Sequence, residues 1–214
     1  MLLRNSNCFY LWCLKGVSLI QNLDKFDSLF GVNIRQYISS QSGMPGEKII
    51  FLNDATCFAL GEYFYGAIRD QTEQQRRHDK CIFLTIGSGF GSTFLDQGRF
   101  INSGDTVPLD DGLLYRVAYK TGIAEDFFSQ KWILKRHSEL EFALRGASDE
   151  LYRGVSDLPD DDLLERVFVE LAQNLAEFIL PWIHAFEATC LCLGGNVIKY
   201  KVILGTFCML LATN

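Results

Sequence analysis

The sequence predicts an α/β protein, and three observations carry that prediction. Short apolar runs at 49–52, 81–86 and 189–193, closed by turn residues, read as buried strands. A stretch with helical period separates the second from the third: Leu163, Leu164, Val167, Phe168, Leu171, Leu175, Phe178 and Ile179 fall on one face. Each strand also ends in residues that stop it: Asn53-Asp54, then Gly87-Ser88-Gly89, then Gly194-Gly195. In α/β sheets, ligands sit beyond the carboxyl ends of strands.

The first of these junctions is the most distinctive. Apolar residues 49–52 give way to Asn53-Asp54-Ala55, and Phe58, Leu60, Phe64, Ala67 and Ile68 then approximate a helical face. Asp54 has two readings here. It can cap the helix, since Asp and Asn are favoured at that position, or it can present a carboxylate at a ligand site.

The second junction joins strand to strand. Gly87-Ser88-Gly89-Phe90-Gly91 follows the 81–86 run, an extended pattern resumes at Phe94-Leu95, and Asp96-Gln97-Gly98 signals a hairpin before Arg99. Alternate glycines permit close backbone approach, and their N–H groups can converge on an anion. No Lys-Ser/Thr ending makes it a Walker A loop, and no helix opens at a third glycine. A tight hairpin uses glycines without any ligand as well.

Elsewhere the chain offers scaffold. Residues 123–136 read as a helix burying Phe127, Phe128, Ile133 and Leu134, with Trp132 covering the core. Another short helix is expected from Ser148. Pro159 and Asp160 to Asp162 suit the first turn of the long helix, which Pro181 interrupts. The apolar tail 197–214 shows no clear period. Residues 8–14 form an apolar run too short to span a bilayer.

Composition narrows the function classes. With 48% hydrophobic and 21% charged residues, the chain can bury a core. A net charge of −6 and a pI near 5.1 argue against nucleic acid as a partner, and the basic cluster Arg76-Arg77-His78 reads as a solvated loop. The seven cysteines lie mostly in apolar runs, which suits reduced thiols in the cytoplasm. No finger or ribbon spacing indicates a metal site. Asp110-Asp111 sits in a Gly-Pro turn and reads as solvated.

Taken in order, Asn-Asp-Ala, Gly-x-Gly-x-Gly and Gly-Gly at three strand ends resemble the ROK family of sugar kinases and related repressors. The likeness runs over residues 15–196. It includes Gly31-Val32-Asn33 ahead of the Asn53-Asp54 junction, and the segment from Gly122 to Ser129 with Trp132. The resemblance implies an actin-like (ribonuclease H-like) ATPase fold, a mixed sheet with flanking helices. It divides the chain into a remnant of an N-terminal lobe at 1–70 and a C-terminal ATPase lobe at 71–214.

The resemblance also implies roles. Asp54 would be the general base that takes the proton from a sugar hydroxyl, and Asn53 would bind the sugar beside it. Gly87, Ser88, Gly89 and Gly91 would cradle the phosphates of ATP, with Mg2+ arriving on the nucleotide. Gly194 and Gly195 would lie against the adenosine. A homodimer is the expected assembly, and neither nucleic acid nor a membrane is an expected partner.

The chain departs from the family pattern in three places. It contains no Asp-x-Gly-Gly-Thr phosphate loop, no Glu-x-Gly-His sugar contact and no Cys-x-Cys-Gly zinc cluster. The first lobe is therefore expected to be incomplete, with the chain truncated at its N-terminal side. The expected activity is ATP-dependent phosphorylation of a hexose or N-acetylhexosamine hydroxyl. The alternative is a non-catalytic sugar-binding protein or regulator on the same fold, and a third is an incomplete gene product whose open sheet edge invites aggregation.

Overall fold

The computed structural model describes residues 13–14, 17–18, 27–66, 79–108, 112–145, 154–159 and 161–212. The chain divides into two compact units, Met1–Phe58 and Ala59–Asn214. Several expectations lie outside the described residues: Ala67 and Ile68 of the helical face after Asp54, the basic cluster at 76–78, the Asp110-Asp111 turn, the helix from Ser148 and most of the 8–14 run.

In the first unit, β1 (Cys13–Leu14) and β2 (Val17–Ser18) pair antiparallel. Helix α1 (Ile34–Ser42) starts at Asn33, whose side chain accepts the Gln36 N–H. It ends at Gly43, which adopts the left-handed conformation with φ 69° and gives its N–H to the Ser39 carbonyl.

The expected strand at 49–52 is not a strand. A ladder needs a neighbouring strand, and among the described residues none pairs with this segment. Its Ile49 carbonyl is taken otherwise. The Arg35 guanidinium donates to the Gly46 carbonyl at 2.9 Å and to the Ile49 carbonyl, and it lies 5.1 Å from the centre of the Phe51 ring. The segment is extended but largely bare: Ile49 is buried, while Ile50 is 76% exposed.

Helix α2 (Asp54–Tyr65) follows and runs across the unit boundary. Its buried stripe is Ala55, Ala59 and Tyr63, spaced four apart. The expected face at Phe58, Leu60 and Phe64 is half-buried to exposed.

The second unit is built on a four-stranded mixed sheet in the order β5 (Arg99–Ile101), β4 (Phe90–Asp96), β3 (Lys80–Ile86) and β8 (Cys190–Gly194). Strands β3 (Lys80–Ile86) and β4 (Phe90–Asp96) pair antiparallel, with Ile86 opposite Phe90. A two-residue turn at Gln97 (φ 51°) and Gly98 (φ 75°) leads to β5 (Arg99–Ile101). Positive φ at both positions matches the twist of a hairpin. A second, small ribbon pairs β6 (Ala118–Tyr119) with β7 (Gly122–Ile123).

Helix α3 spans Gln130–Arg145, so it starts seven residues later than the periodicity predicts. The cause is local. The Asp126 carboxylate accepts the Ile123 N–H at 3.0 Å and bends 124–126 into a tight turn, and Phe128 is carried into the core before the helix begins. Helix α4 (Asp162–Phe186) fits its expectation, and every residue of the predicted stripe is buried. Asp161 caps it by accepting the N–H groups of Leu163 and Leu164, and Pro181 is accommodated without breaking it.

Strand β8 (Cys190–Gly194) then returns parallel to β3, with Cys81 opposite Cys190 and Thr85 opposite Gly194. The tail forms helix α5 (Lys201–Ala212), which buries Ile203 and Phe207, and Tyr200 just before it stacks 4.5 Å from Phe168. Behind the sheet, Phe90, Tyr119, Phe128 and Phe178 form an aromatic cluster with ring centres 5.1 to 6.1 Å apart. Among the described residues no helix is long and apolar enough to cross a membrane.

Candidate functional site

At the Asn53-Asp54 junction, the capping reading of Asp54 does not hold. Asn53 occupies the capping position: its side-chain oxygen accepts the Thr56 N–H at 3.2 Å and its carbonyl accepts the Cys57 N–H at 2.9 Å. Asp54 is the first helical residue, and its carboxylate is exposed and accepts only the adjacent Ala55 N–H among the described hydrogen bonds. The cap is Asn53. The Asp54 carboxylate also helps burial to raise the Cys57 thiol pKa, with burial the larger cause.

In the second unit the predicted glycines converge. The hairpin between β3 and β4 has only Gly87, Ser88 and Gly89 outside the strands, and the Gly87 N–H closes it on the Gly89 carbonyl at 3.0 Å. Ser88 is its exposed tip. Gly91 lies within β4, opposite Thr85, and Thr85 is also opposite Gly194 on β8. Gly91, Thr85 and Gly194 therefore form one row across three strands. Both neighbours of Thr85 lack side chains, so the sheet surface is low on either side of it. Thr85 escaped the sequence reading because only strand register brings it between the two glycines.

Gly195 turns the chain at the end of β8 with φ 97°. A Cβ at this position would come within 2.8 Å of the Ile86 backbone nitrogen and 2.7 Å of its carbonyl carbon. The Val197 N–H reaches the Ile86 carbonyl at 3.3 Å. Gly195 is thus required for the end of β8 to close over the end of β3. At Gly87, by contrast, a Cβ would meet nothing within 4 Å, so that side of the hairpin is open.

Two further parts lie at the start of α3. The first N–H of α3, from Gln130, donates to the Gly87 carbonyl at 2.8 Å, and Ser129 caps the helix by accepting the Trp132 N–H at 3.4 Å. A helix N-terminus favours anions. The second part is Glu125, half-buried ahead of the helix. Burial pushes its pKa above the ordinary 4.5, aided by Asp126, while the Phe90 amide and Arg116 oppose the shift. Neither part was anticipated, because the helix was expected to start earlier.

The cysteines form no metal centre among the described residues, where no group of three or more His, Cys, Asp or Glu could hold an ion. Cys81 and Cys190 are opposite one another on β3 and β8, and their mutual influence raises the Cys81 pKa and lowers that of Cys190. Burial, with Glu62 and Cys190, pushes the Cys192 thiol up to about 11. Two surface grooves along α4, one holding Arg136 and Glu165 and the other His184 and Leu210, contain none of the predicted site residues.

No family model matches the chain. A glucokinase of Thermotoga maritima is 25% identical over 179 residues, covering 74% of this chain and 54% of that protein. Among solved structures, a ROK family glucokinase from Streptomyces griseus in complex with glucose and AMPPNP is similar with a TM-score of 0.62 at 18% identity. That match covers 92% of this chain and 67% of that one. A ROK family transcriptional regulator, a homologue of the E. coli MLC protein, gives a TM-score of 0.61 at 17% identity, over 86% of this chain and 48% of that one. The chain spans about half the length of the curated relatives it matches, 54% and 56%. These likenesses bear out the resemblance to the ROK family and the fold it implies: a mixed sheet with flanking helices, of the actin-like ATPase type.

Proposed function

We propose that the chain belongs to an ATP-dependent sugar kinase of the ROK type, phosphorylating a hydroxyl of a hexose or N-acetylhexosamine. The observation that carries this reading is the convergence of Gly87, Ser88, Gly89, Gly91, Gly194 and Gly195 at the carboxyl ends of β3 and β8, beside the N-terminus of α3. Open backbone with a helix N-terminus suits a nucleotide and its phosphates. Sugar kinase relatives support the same reading.

ATP fits these residues, since the open side of Gly87 and the bare row through Thr85 give space for it. Gly87, Ser88, Gly89 and Gly91 would hold its phosphates and Gly194 and Gly195 its adenosine. Bound Mg·ATP supplies the phosphoryl group and neutralises its charge. Asp54, exposed because Asn53 does the capping, takes the proton of the attacking sugar hydroxyl. Asn53 holds the sugar alongside. Residues 1–70 would be the part of the N-terminal lobe present and 71–214 the ATPase lobe, in a cytoplasmic homodimer.

The test is phosphotransfer to a panel of hexoses and N-acetylhexosamines, with ADP release as readout. Asp54→Asn should lower turnover about 100-fold or more while sugar affinity stays within a few-fold. Loss of sugar affinity together with turnover would make Asp54 a structural residue.

A second reading is favoured by one observation, the likeness to a ROK family transcriptional regulator. On that reading the chain binds sugar without turnover, as a regulator. Hexose binding with no Mg·ATP binding would select it.

A further inference from the structure

The row of Gly91, Thr85 and Gly194 carries a single side chain beyond hydrogen, and its surroundings single that residue out. Side chains alternate across a strand. Ile82, Leu84 and Ile86 of β3 enter the core, so Thr85 stands on the opposite face with Phe83 and Cys81. One row back on that face, Phe83 lies between Thr93 and Cys192 and is fully buried. The face is therefore covered at Phe83 and opens at Thr85, which is half-buried.

The two threonines of this face use their hydroxyls differently. Thr93 is buried, and its hydroxyl donates to the Ser92 carbonyl at 2.8 Å. The Thr85 hydroxyl has no protein partner among the described hydrogen bonds, and it is not shut away from solvent. Strand propensity alone would be met as well by Val, which is β-branched without a hydroxyl. Bare backbone flanks Thr85 on both sides, and beyond it the chain runs into the open side of Gly87. Thr85 thus lies between the hairpin glycines and the pair Gly194-Gly195.

We propose that Thr85 is a nucleotide-contact residue, whose hydroxyl donates to the phosphate chain as it passes from Gly194 to the Gly87-Ser88-Gly89 hairpin. The inference rests on the nucleotide reading above and adds a side chain outside the glycine motifs. A hydroxyl that meets a charged phosphate oxygen makes a stronger bond than one between neutral groups. Thr85 sits on a strand paired on both edges, by β4 and by β8, so little freedom is lost when it meets a ligand. Side chains at 91 or 194 would raise the floor beside it and hold the phosphates off.

The experiment is calorimetric titration of the full chain with Mg·AMPPNP, for the unaltered protein, Thr85→Val and Thr85→Ser. Phosphorus NMR follows the bound nucleotide in parallel, and thermal unfolding checks each fold. Thr85→Val keeps the branched shape without the hydroxyl; it should weaken binding about tenfold or more and shift the phosphorus signals. Thr85→Ser keeps the hydroxyl and should bind within about threefold of the unaltered protein. An unaltered chain that binds no nucleotide overturns the nucleotide reading and this inference with it. Binding by the unaltered chain that Thr85→Val leaves unchanged overturns this inference alone. So does a Thr85→Ser variant as weak as Thr85→Val, and so does weakened binding with unmoved phosphorus signals. Should Thr85→Val not fold, Thr85→Ala carries the test, because it also lacks the hydroxyl and predicts the same loss.

Discussion

Gly195 lies directly on the backbone of Ile86, at the point where two parallel strands end together. Its φ of 97° is closed to ordinary side chains, and a Cβ would collide with three backbone atoms of Ile86. Backbone cannot swing aside as a side chain can. Gly195→Ala should therefore cost at least about 2 kcal/mol, adding the clash to the strain of the left-handed conformation. Urea unfolding would measure it, and a cost below about 0.5 kcal/mol would show that the β8 end relaxes freely.

Asn53 and Asp54 should separate under mutation. Removing the Asn53 cap by Asn53→Ala should destabilise the protein by about 1 kcal/mol. Asp54→Ala should change stability by less, because Asp54 caps nothing beyond its neighbour's amide. Equal losses in thermal unfolding would mean that both side chains share the cap.

Glu125 predicts a pH dependence of stability. Its pKa is raised in the folded state, chiefly by burial, so the folded protein holds the proton more tightly than the unfolded chain. The stabilising contribution is complete below the unfolded value near 4.5 and is lost as pH rises through the folded value. Glu125→Gln removes this loss. The stability difference between the variant and the unaltered protein should grow in the variant's favour from pH 4 towards 7, and a flat difference would contradict the assignment.

Gln97 takes φ 51° at the first position of the β4–β5 turn, a conformation in which Asn is far better tolerated. Gln97→Asn should raise stability by about 0.5 kcal/mol and the melting temperature by about 1–2 °C. A lower melting temperature would mean that the Gln97 side chain contributes packing of its own.

Phe128 sits fully buried among Phe90, Tyr119 and Phe178. Phe128→Ala should cost about 3–5 kcal/mol, and Phe128→Leu much less. Chemical denaturation of the two variants would check both.

The elements read correctly from sequence are those whose signal is local. The Leu163 to Ile179 stripe repeats along one helix, and its caps lie beside it. The apolar runs of β3 and β8 and the Gln97-Gly98 turn are contiguous in the chain, so they too can be recognised without knowing what they pack against. The misreadings fall where a partner decides. Residues 49–52 have the composition of a buried strand, yet a strand exists only when another strand takes its hydrogen bonds. The start of α3 was misplaced because a single carboxylate, Asp126, bends the chain before the helix. Helix α5 is apolar on every side, so no period reveals it until α4 covers one face.

By itself the sequence determined the α/β class, the long helix, the strands carrying the glycines, and the motifs that resemble ROK kinases, because each is written in residues adjacent or periodic along the chain. Only the tertiary structure decided that Asn53 rather than Asp54 caps the helix, that Gly91, Thr85 and Gly194 share one row, and that the first N–H of α3, from Gln130, holds the hairpin at the Gly87 carbonyl. Those relations depend on strand register and on contacts between distant segments, which packing selects and no local pattern encodes.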